Sequence, residues 1–465
     1  TKALLGIGAR FIPGPLLGDI SVDSRVLAFA IAASLFTAVL FGIAPAWQAT
    51  RVDLQQALKQ GGSHGVLGAG SSRLRNSLVV AQISLSLTLA IGASLLFRTL
   101  LALHDVQLGY RTDGILVVSA SAPARTLSQA LQASRFFDEL NAKLRQLPGV
   151  ISAGSAMGLP VGQYDSNGSY AVEGKQNFTE NFRNLPYAGF RLASPGYFTT
   201  MGIPLLRGRD FNEGDFYDRP FVLIVSESLV RQVFPNEDPI GHRIRCGLDS
   251  PNWMTIVGVV GDVRQSSPAA QPGPELYMPI QQHPLPATAR QIVIRTPGNP
   301  EALVPAVEST THEMNPEVAT KFTTMTNLVS DSIAAQRFRT VLTSTFALLA
   351  LLLALSGMYA VMTYITARRT AEFGLRSAVG AQRRNIVALV LRGAATVAAT
   401  GVIAGILLSI LAARVLSAML FEVKSTDFAT YVVVSAMVLP IIVLAAALPA
   451  WQASRVDPLI ALRSE

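Results

Sequence analysis

Residues 340–367 read TVLTSTFALLALLLALSGMYAVMTYITA, twenty-eight positions without an Asp, Glu, Lys, Arg or His. About 20 helical residues rising ~1.5 Å each cross a hydrocarbon core of roughly 30 Å, so this stretch is long enough to span a membrane. Four more stretches share the property: 26–50, 76–97, 393–413 and 428–454. Buried helices of soluble proteins rarely stay uncharged beyond about 14 residues, and five in one chain point to five transmembrane helices. Gly401 and Gly405, four apart in the fourth stretch, have the spacing that lets helices approach closely in lipid.

Composition agrees. Half of the 465 residues are apolar and only 15% are charged, with a mean hydropathy of +0.38, whereas soluble domains carry roughly a quarter charged residues. The net charge of +8 is spread out, with no block of five like charges, so nucleic acid is not an expected partner. The lone Cys246 excludes an internal disulfide and a cysteine-rich metal site.

Between the second and third spans, residues 98–339 regain prolines, glycines and charges. Runs such as Ile115–Ser119, Phe221–Val225, Thr255–Val260 and Gln291–Arg295 have strand character, and Ser128–Leu147 and Pro300–Met314 read as amphipathic helices. The expected organisation is an outer segment 1–25, a span 26–50, a linker 51–75 with a Gly/Ser-rich stretch 60–72, a span 76–97, an α+β domain 98–339, and three helices in 340–465.

Short loops set the orientation. Arg51, Lys59, Arg73 and Arg75 lie on one side with Arg368, Arg369, Arg376, Arg383, Arg384, Arg455 and Arg463; the other side's short loops hold Lys2, Arg10, Arg25, Arg414 and Lys424. The richer side is cytoplasmic by the positive-inside rule, and long segments do not enter the count. The α+β domain is therefore expected outside the cytoplasm.

One repeat stands out. Pro45-Ala46-Trp47-Gln48-Ala49-Thr50-Arg51-Val52-Asp53 returns as Pro449-Ala450-Trp451-Gln452-Ala453-Ser454-Arg455-Val456-Asp457. The first span thus corresponds to the fifth, so the chain reads as the last helix of one repeat followed by a second: helix, large domain, three helices. Duplication is common in membrane transport folds.

This order resembles the MacB/FtsX-type permeases of ABC systems. Arg369-Thr370-Ala371-Glu372-Phe373-Gly374-Leu375-Arg376-Ser377-Ala378-Val379-Gly380-Ala381 is similar to that family's R-x-x-E-I-G-[IL]-R-x-A-[LV]-G-A signature, with Phe373 where an aliphatic residue is usual. Ser194–Phe198, Leu206–Phe211, Asp238–Gly241 and Val257–Val263 match further stretches. The duplicated form most resembles the orphan permeases of acidobacteria. The resemblance implies a multi-pass protein of the bacterial inner membrane with a MacB-like periplasmic core domain, whose inserted lobe occupies about 194–289, and an FtsX-like permease domain. It further implies a cytoplasmic ABC ATPase as partner, a second permease unit supplied by an upstream repeat or a homodimer, an extracytoplasmic partner, and a role in efflux or mechanotransmission. The alternative is a membrane-anchored scaffold or sensor without an ATPase.

On this resemblance the coupling helix is about 370–384, with Glu372, Phe373, Gly374, Leu375, Arg376, Gly380, Ala381 and Arg383 contacting the ATPase. The residue types are suited to transmitting force. Phe373, Leu375, Ala378 and Val379 with Arg376, Arg383 and Arg384 make a short amphipathic helix, and Gly380 suits a left-handed C-terminal turn. Such a helix fits a partner groove by its apolar anchors, or lies in the headgroup region with its arginines snorkelling.

Other chemistry is thin. His312-Glu313-Met314-Asn315-Pro316 starts like a zinc-protease motif but has Pro316 at the second histidine position. No glycine loop leads to Gly-Lys-Ser/Thr, so ATP hydrolysis belongs to a separate partner, and no catalytic residue, cofactor or metal is expected. Asp210, Glu213, Asp215 and Asp218 read as a solvated loop before they read as a cation site.

Overall fold

The computed structural model describes residues 24–35, 69–122, 124–162, 166–175, 185–248, 251–379 and 381–455. The first copy of the repeat, most of span 26–50, residues 51–68 of the expected linker, Gly380 and the end of the second repeat copy lie outside them, whereas residues 69–75, expected in the linker, form the start of a helix. The chain divides into two compact units: Asp105–Ala334, and the flanking segments that carry the membrane helices.

Helix α1 runs Ser24–Leu35 and α2 Ala69–His104. The outer unit follows with β1 (Ile115–Ser121), α3 (Leu127–Arg145), β2 (Ser152–Met157), β3 (Ser166–Val172), β4 (Tyr187–Ala193), α4 (Tyr197–Met201), β5 (Leu205–Gly208), β6 (Val222–Ser226), α5 (Glu227–Val233), β7 (Arg243–Cys246), β8 (Met254–Val260), β9 (Glu275–Pro279), β10 (Ala289–Arg295), α6 (Val304–Met314), β11 (Thr320–Thr324) and α7 (Met325–Ser332). The membrane unit resumes with α8 (Ala334–Arg368), α9 (Thr370–Ala378), α10 (Arg383–Leu416), α11 (Phe428–Ala445) and α12 (Ala447–Ala453).

The outer unit's strands form one sheet with two parts. Strands β11-β1-β10-β2 are antiparallel neighbours, a split β-α-β arrangement with α3 and α6 on one face. Leu116, Val118, Ile292 and Ile294 meet Phe137, Leu140, Leu144 and Val307 there. Thr126 fixes the start of α3: its hydroxyl accepts from the Gln129 amide, and the Gln129 side chain accepts from the Thr126 amide, a reciprocal cap.

The second part closes on itself. β4 pairs β3, β3 pairs β7, β7 pairs β8, β8 pairs β6, β6 pairs β9, and β9 returns to β4 in parallel. Alternate residues fill this six-stranded ring: Tyr170 and Val172, Phe190 and Leu192, Leu223 and Val225, Ile244 and Cys246, Met254 and Ile256, Leu276 and Met278. The opposite faces of β6 and β9, through Ile224 and Tyr277, join Tyr197, Phe198, Val117 and Val293 in a cluster shared with the first part.

The insertion is therefore wider than 194–289. β3 and β4 belong to the ring, and β4 touches β2 only at Ala156↔Ala193 and Met157↔Leu192. A boundary drawn at Ser194 cuts β3 and β4 from the other four strands of their ring. Cys246 is buried inside it, with Sγ 3.7 Å from Met278 Sδ. In the acidic loop, Asp215 is held by Arg209 through two bonds of 2.8 and 2.9 Å and accepts the Asn212 amide, so an internal ion pair uses its charge.

Among the described residues, four helices are long and apolar enough to cross a membrane: 75–104, 334–368, 383–414 and 428–453. The last contains a break at Ala446, where α11 gives way to α12. Gly401 and Gly405 of α10 face α2. A Cβ on Gly401 would lie 2.7 Å from Ile83, and one on Gly405 3.0 Å from Leu87, so any larger residue would push the helices apart. At the outer end, Arg98 of α2 pairs with Asp427, which caps α11 by accepting from the Thr430 amide.

Candidate functional site

Between α8 and α10 the chain makes one short helix, and its two faces differ sharply. Phe373 is 1% exposed and belongs to the same apolar cluster as Val361, Met362, Ile386 and Val390. Gly374 beside it is buried. Leu375 is 56% exposed and Val379, one turn on, 82%. Arg376 and Ala378 lie on the exposed side as well.

Helical geometry accounts for the split. Positions two apart point about 200° away from each other, so Phe373 and Leu375 cannot share a face, whereas Leu375 and Val379 must. Phe373 is therefore not a surface anchor of α9 but the side chain that fastens it to the bundle. Glu372 lies between the faces and binds Arg376 at 2.6 Å and Arg369 at 3.8 Å. The Glu-to-Arg order at i, i+4 stabilises a short helix by about 0.3–0.5 kcal/mol and holds the Arg376 guanidinium on the surface.

The expected helix 370–384 is shorter than its sequence pattern. α9 ends at Ala378, and the Ala381 amide donates to the Arg376 carbonyl at 2.9 Å, the six-to-one bond of a helix terminus. Arg383 opens α10, and Arg384 follows in its first turn. Both are exposed. Gly380, expected in the same turn, lies outside the described residues.

Comparison with known families decides the assignment. The MacB-like periplasmic core domain family matches residues 77–310, half of the chain, and the FtsX-like permease C-terminal family matches 344–458. The chain belongs to the MacB/FtsX-type ABC transporter permeases. It is 28% identical over 315 residues to the macrolide export ATP-binding/permease protein MacB of Mannheimia succiniciproducens, covering 64% of this chain and 46% of that protein. The MacB of Hahella chejuensis is 29% identical over 279 residues, covering 58% of this chain and 42% of that protein. The chain thus spans about half the length of the curated relatives it matches. The crystal structure of the periplasmic region of MacB from Actinobacillus actinomycetemcomitans aligns with 47% of this chain and 92% of that one, at 16% identity and a TM-score of 0.33.

As a permease of this family, the chain is a multi-pass inner-membrane protein with its α+β unit outside the cytoplasm. The two matched regions are a permease domain and a periplasmic core domain, and neither is an ATPase domain. α9 is then on the cytoplasmic side, between two membrane helices. Its amphipathic pattern is visible in the sequence, but nothing in that pattern says which apolar residue turns inward.

Proposed function

We propose that the chain is the permease subunit of an ABC-type efflux or mechanotransmission system, and that α9 receives the movement of a cytoplasmic ATPase. The observation behind this reading is the division of labour on α9. Leu375 and Val379 leave an apolar pair uncovered, Arg376 is presented beside them, and Phe373 links the same short segment to the bundle core. A force applied to the exposed face reaches Val361, Ile386 and Val390 through one packed ring, and so reaches α8 and α10 together. Ala381 and Arg383 extend the docking surface past the helix end. The outer unit, carried between α2 and α8, is what those helices move.

The second permease unit of this scheme is an upstream repeat or another copy of the chain, and the paired Pro-Ala-Trp-Gln-Ala motifs support the duplicated arrangement of the acidobacterial orphan permeases. An extracytoplasmic partner and an exported substrate fit the same scheme, as the relatives' name, macrolide export, suggests. The competing scaffold reading needs no ATPase. Co-purification separates the two: the coupling account expects an ABC ATPase to associate with the wild-type chain and to be released by Leu375→Asp. A chain that recruits no ATPase, or one whose association ignores that substitution, would favour the scaffold.

A further inference from the structure

Two arginines from different helices converge on one aromatic ring at the cytoplasmic end of the membrane unit. Cζ of Arg75, in α2, lies 3.9 Å from the centroid of Tyr364 in α8. Cζ of Arg368, one turn further along α8, lies 5.2 Å from the same centroid. The two guanidiniums are therefore no farther apart than these distances laid end to end. Among the described residues, Glu372, close by in sequence, is engaged by Arg369 and Arg376. Arg75 Nε is shielded from solvent and has no hydrogen-bond acceptor among the described residues.

A ring face attracts a cation, and a single arginine on a single ring is an ordinary interfacial anchor. Arg455 over Trp451, at 3.6 Å, is one. Two cations on one ring also repel each other, and more strongly at a membrane boundary than in water. A shared anion offsets that repulsion. Stacked guanidiniums keep their N–H edges free, the geometry that receives phosphate oxygens in pairs. Arg75 begins one span and Arg368 ends another, so the pair lies at headgroup depth in the cytoplasmic leaflet, whose anionic lipids supply phosphate at that level.

We propose that Arg75, Tyr364 and Arg368 form a binding site for the phosphate of an anionic phospholipid in the cytoplasmic leaflet. A bound headgroup would tie α2 to α8 immediately before α9 begins. This site stands independently of the ATPase reading.

The test uses the full chain in phosphatidylcholine nanodiscs doped with phosphatidylglycerol, with retained lipid counted by native mass spectrometry after extraction. The wild type is expected to retain phosphatidylglycerol in preference to phosphatidylcholine. Arg75→Gln with Arg368→Gln should weaken retention roughly twenty-five-fold, taking each basic group near the surface as worth about fivefold. Should the double variant fail to insert, Arg368→Gln alone, at an exposed position, should weaken it about fivefold. Arg414→Gln, at the opposite membrane face, should leave retention unchanged. Equal retention of the two lipids by the wild type, or undiminished retention by the arginine variants, would overturn the site. Full displacement of phosphatidylglycerol by inorganic phosphate would assign the pocket to the free ion and overturn the lipid assignment.

Discussion

The ring of the outer unit and helix α9 of the membrane unit treat their apolar residues in opposite ways. Inside the ring, Tyr170, Leu223, Ile244 and Leu276 are all fully buried, and each alternates with a residue turned to the other face. On α9, Phe373 is almost as deeply buried as these, while Leu375 and, just past the helix end, Val379 stand bare. Exposed leucines on α8 and α10 have lipid beside them. α9 is a loop helix on the cytoplasmic side, where the cover for two bare aliphatics is either the headgroup layer or another protein. The contrast teaches that an exposed apolar residue carries functional meaning according to what its surroundings can offer it.

The comparison can be broken most visibly at Cys246. If the ring is a packed core, this thiol should react with maleimide on the order of a thousandfold more slowly in the folded chain than in denaturant, because labelling requires opening of the unit. Rapid labelling of the native protein would mean that the ring is not closed. Topology is accordingly better probed with a cysteine introduced at an exposed position of the outer unit than with Cys246.

Next in size is the buried ion pair beside the ring. Arg191 and Glu275 approach to 3.3 Å with almost no exposure, and Arg191 also donates to the carbonyls of Ser166 and Phe190. Arg191→Ala strands a buried carboxylate and should destabilise the outer unit by about 3–5 kcal/mol, read from its thermal unfolding. A loss below about 1 kcal/mol would show that water reaches Glu275 and that this part of the unit is loosely packed.

A smaller effect is expected where α10 crosses α2. Gly405→Val places branched carbons against Leu87 and the Ser84 carbonyl and should cost about 1–3 kcal/mol by overpacking, measured as lower thermal stability of the membrane unit in detergent. Unchanged stability would mean that the two helices do not rely on close approach at this point.

The membrane spans are legible in the sequence because the absence of charge over 20 residues is a local property, readable without knowing the fold. β1, β6, β8 and β10 are legible for a related reason, being rich in branched aliphatics. β2 (SAGSAM), β3 (SNGSYAV) and β4 (YAGFRLA) are not, since small residues there answer to partners distant in sequence. Gly168 leaves room for the Phe190 ring, and a Cβ on Gly189 would sit 2.1 Å from a Glu275 carboxylate oxygen. The family resemblance starts the insertion at 194, and nothing in the small residues of β3 and β4 shows that the ring already begins at β3. At α9 the signature marks the helix, but a short amphipathic helix with apolar residues at 373, 375, 378 and 379 has two faces that could meet the bundle. The buried choice depends on Ile386 and Val390 from the next helix, and on the turn that lets α10 fold back.

The smallest effect on stability carries the most about function. Leu375→Asp changes a side chain that is 56% exposed, so the purified permease should unfold within about 0.5 kcal/mol of the wild type. In a docked complex the same carboxylate would be driven into an apolar groove, at a cost of several kcal/mol unless it escapes to water. The measurement is the ATPase activity of the co-purified partner, with and without this permease, for the wild type and Leu375→Asp in the same nanodiscs. Loss of stimulation with insertion and stability intact is the predicted result. Stimulation by Leu375→Asp at the wild-type level would contradict the account and return α9 to the membrane surface.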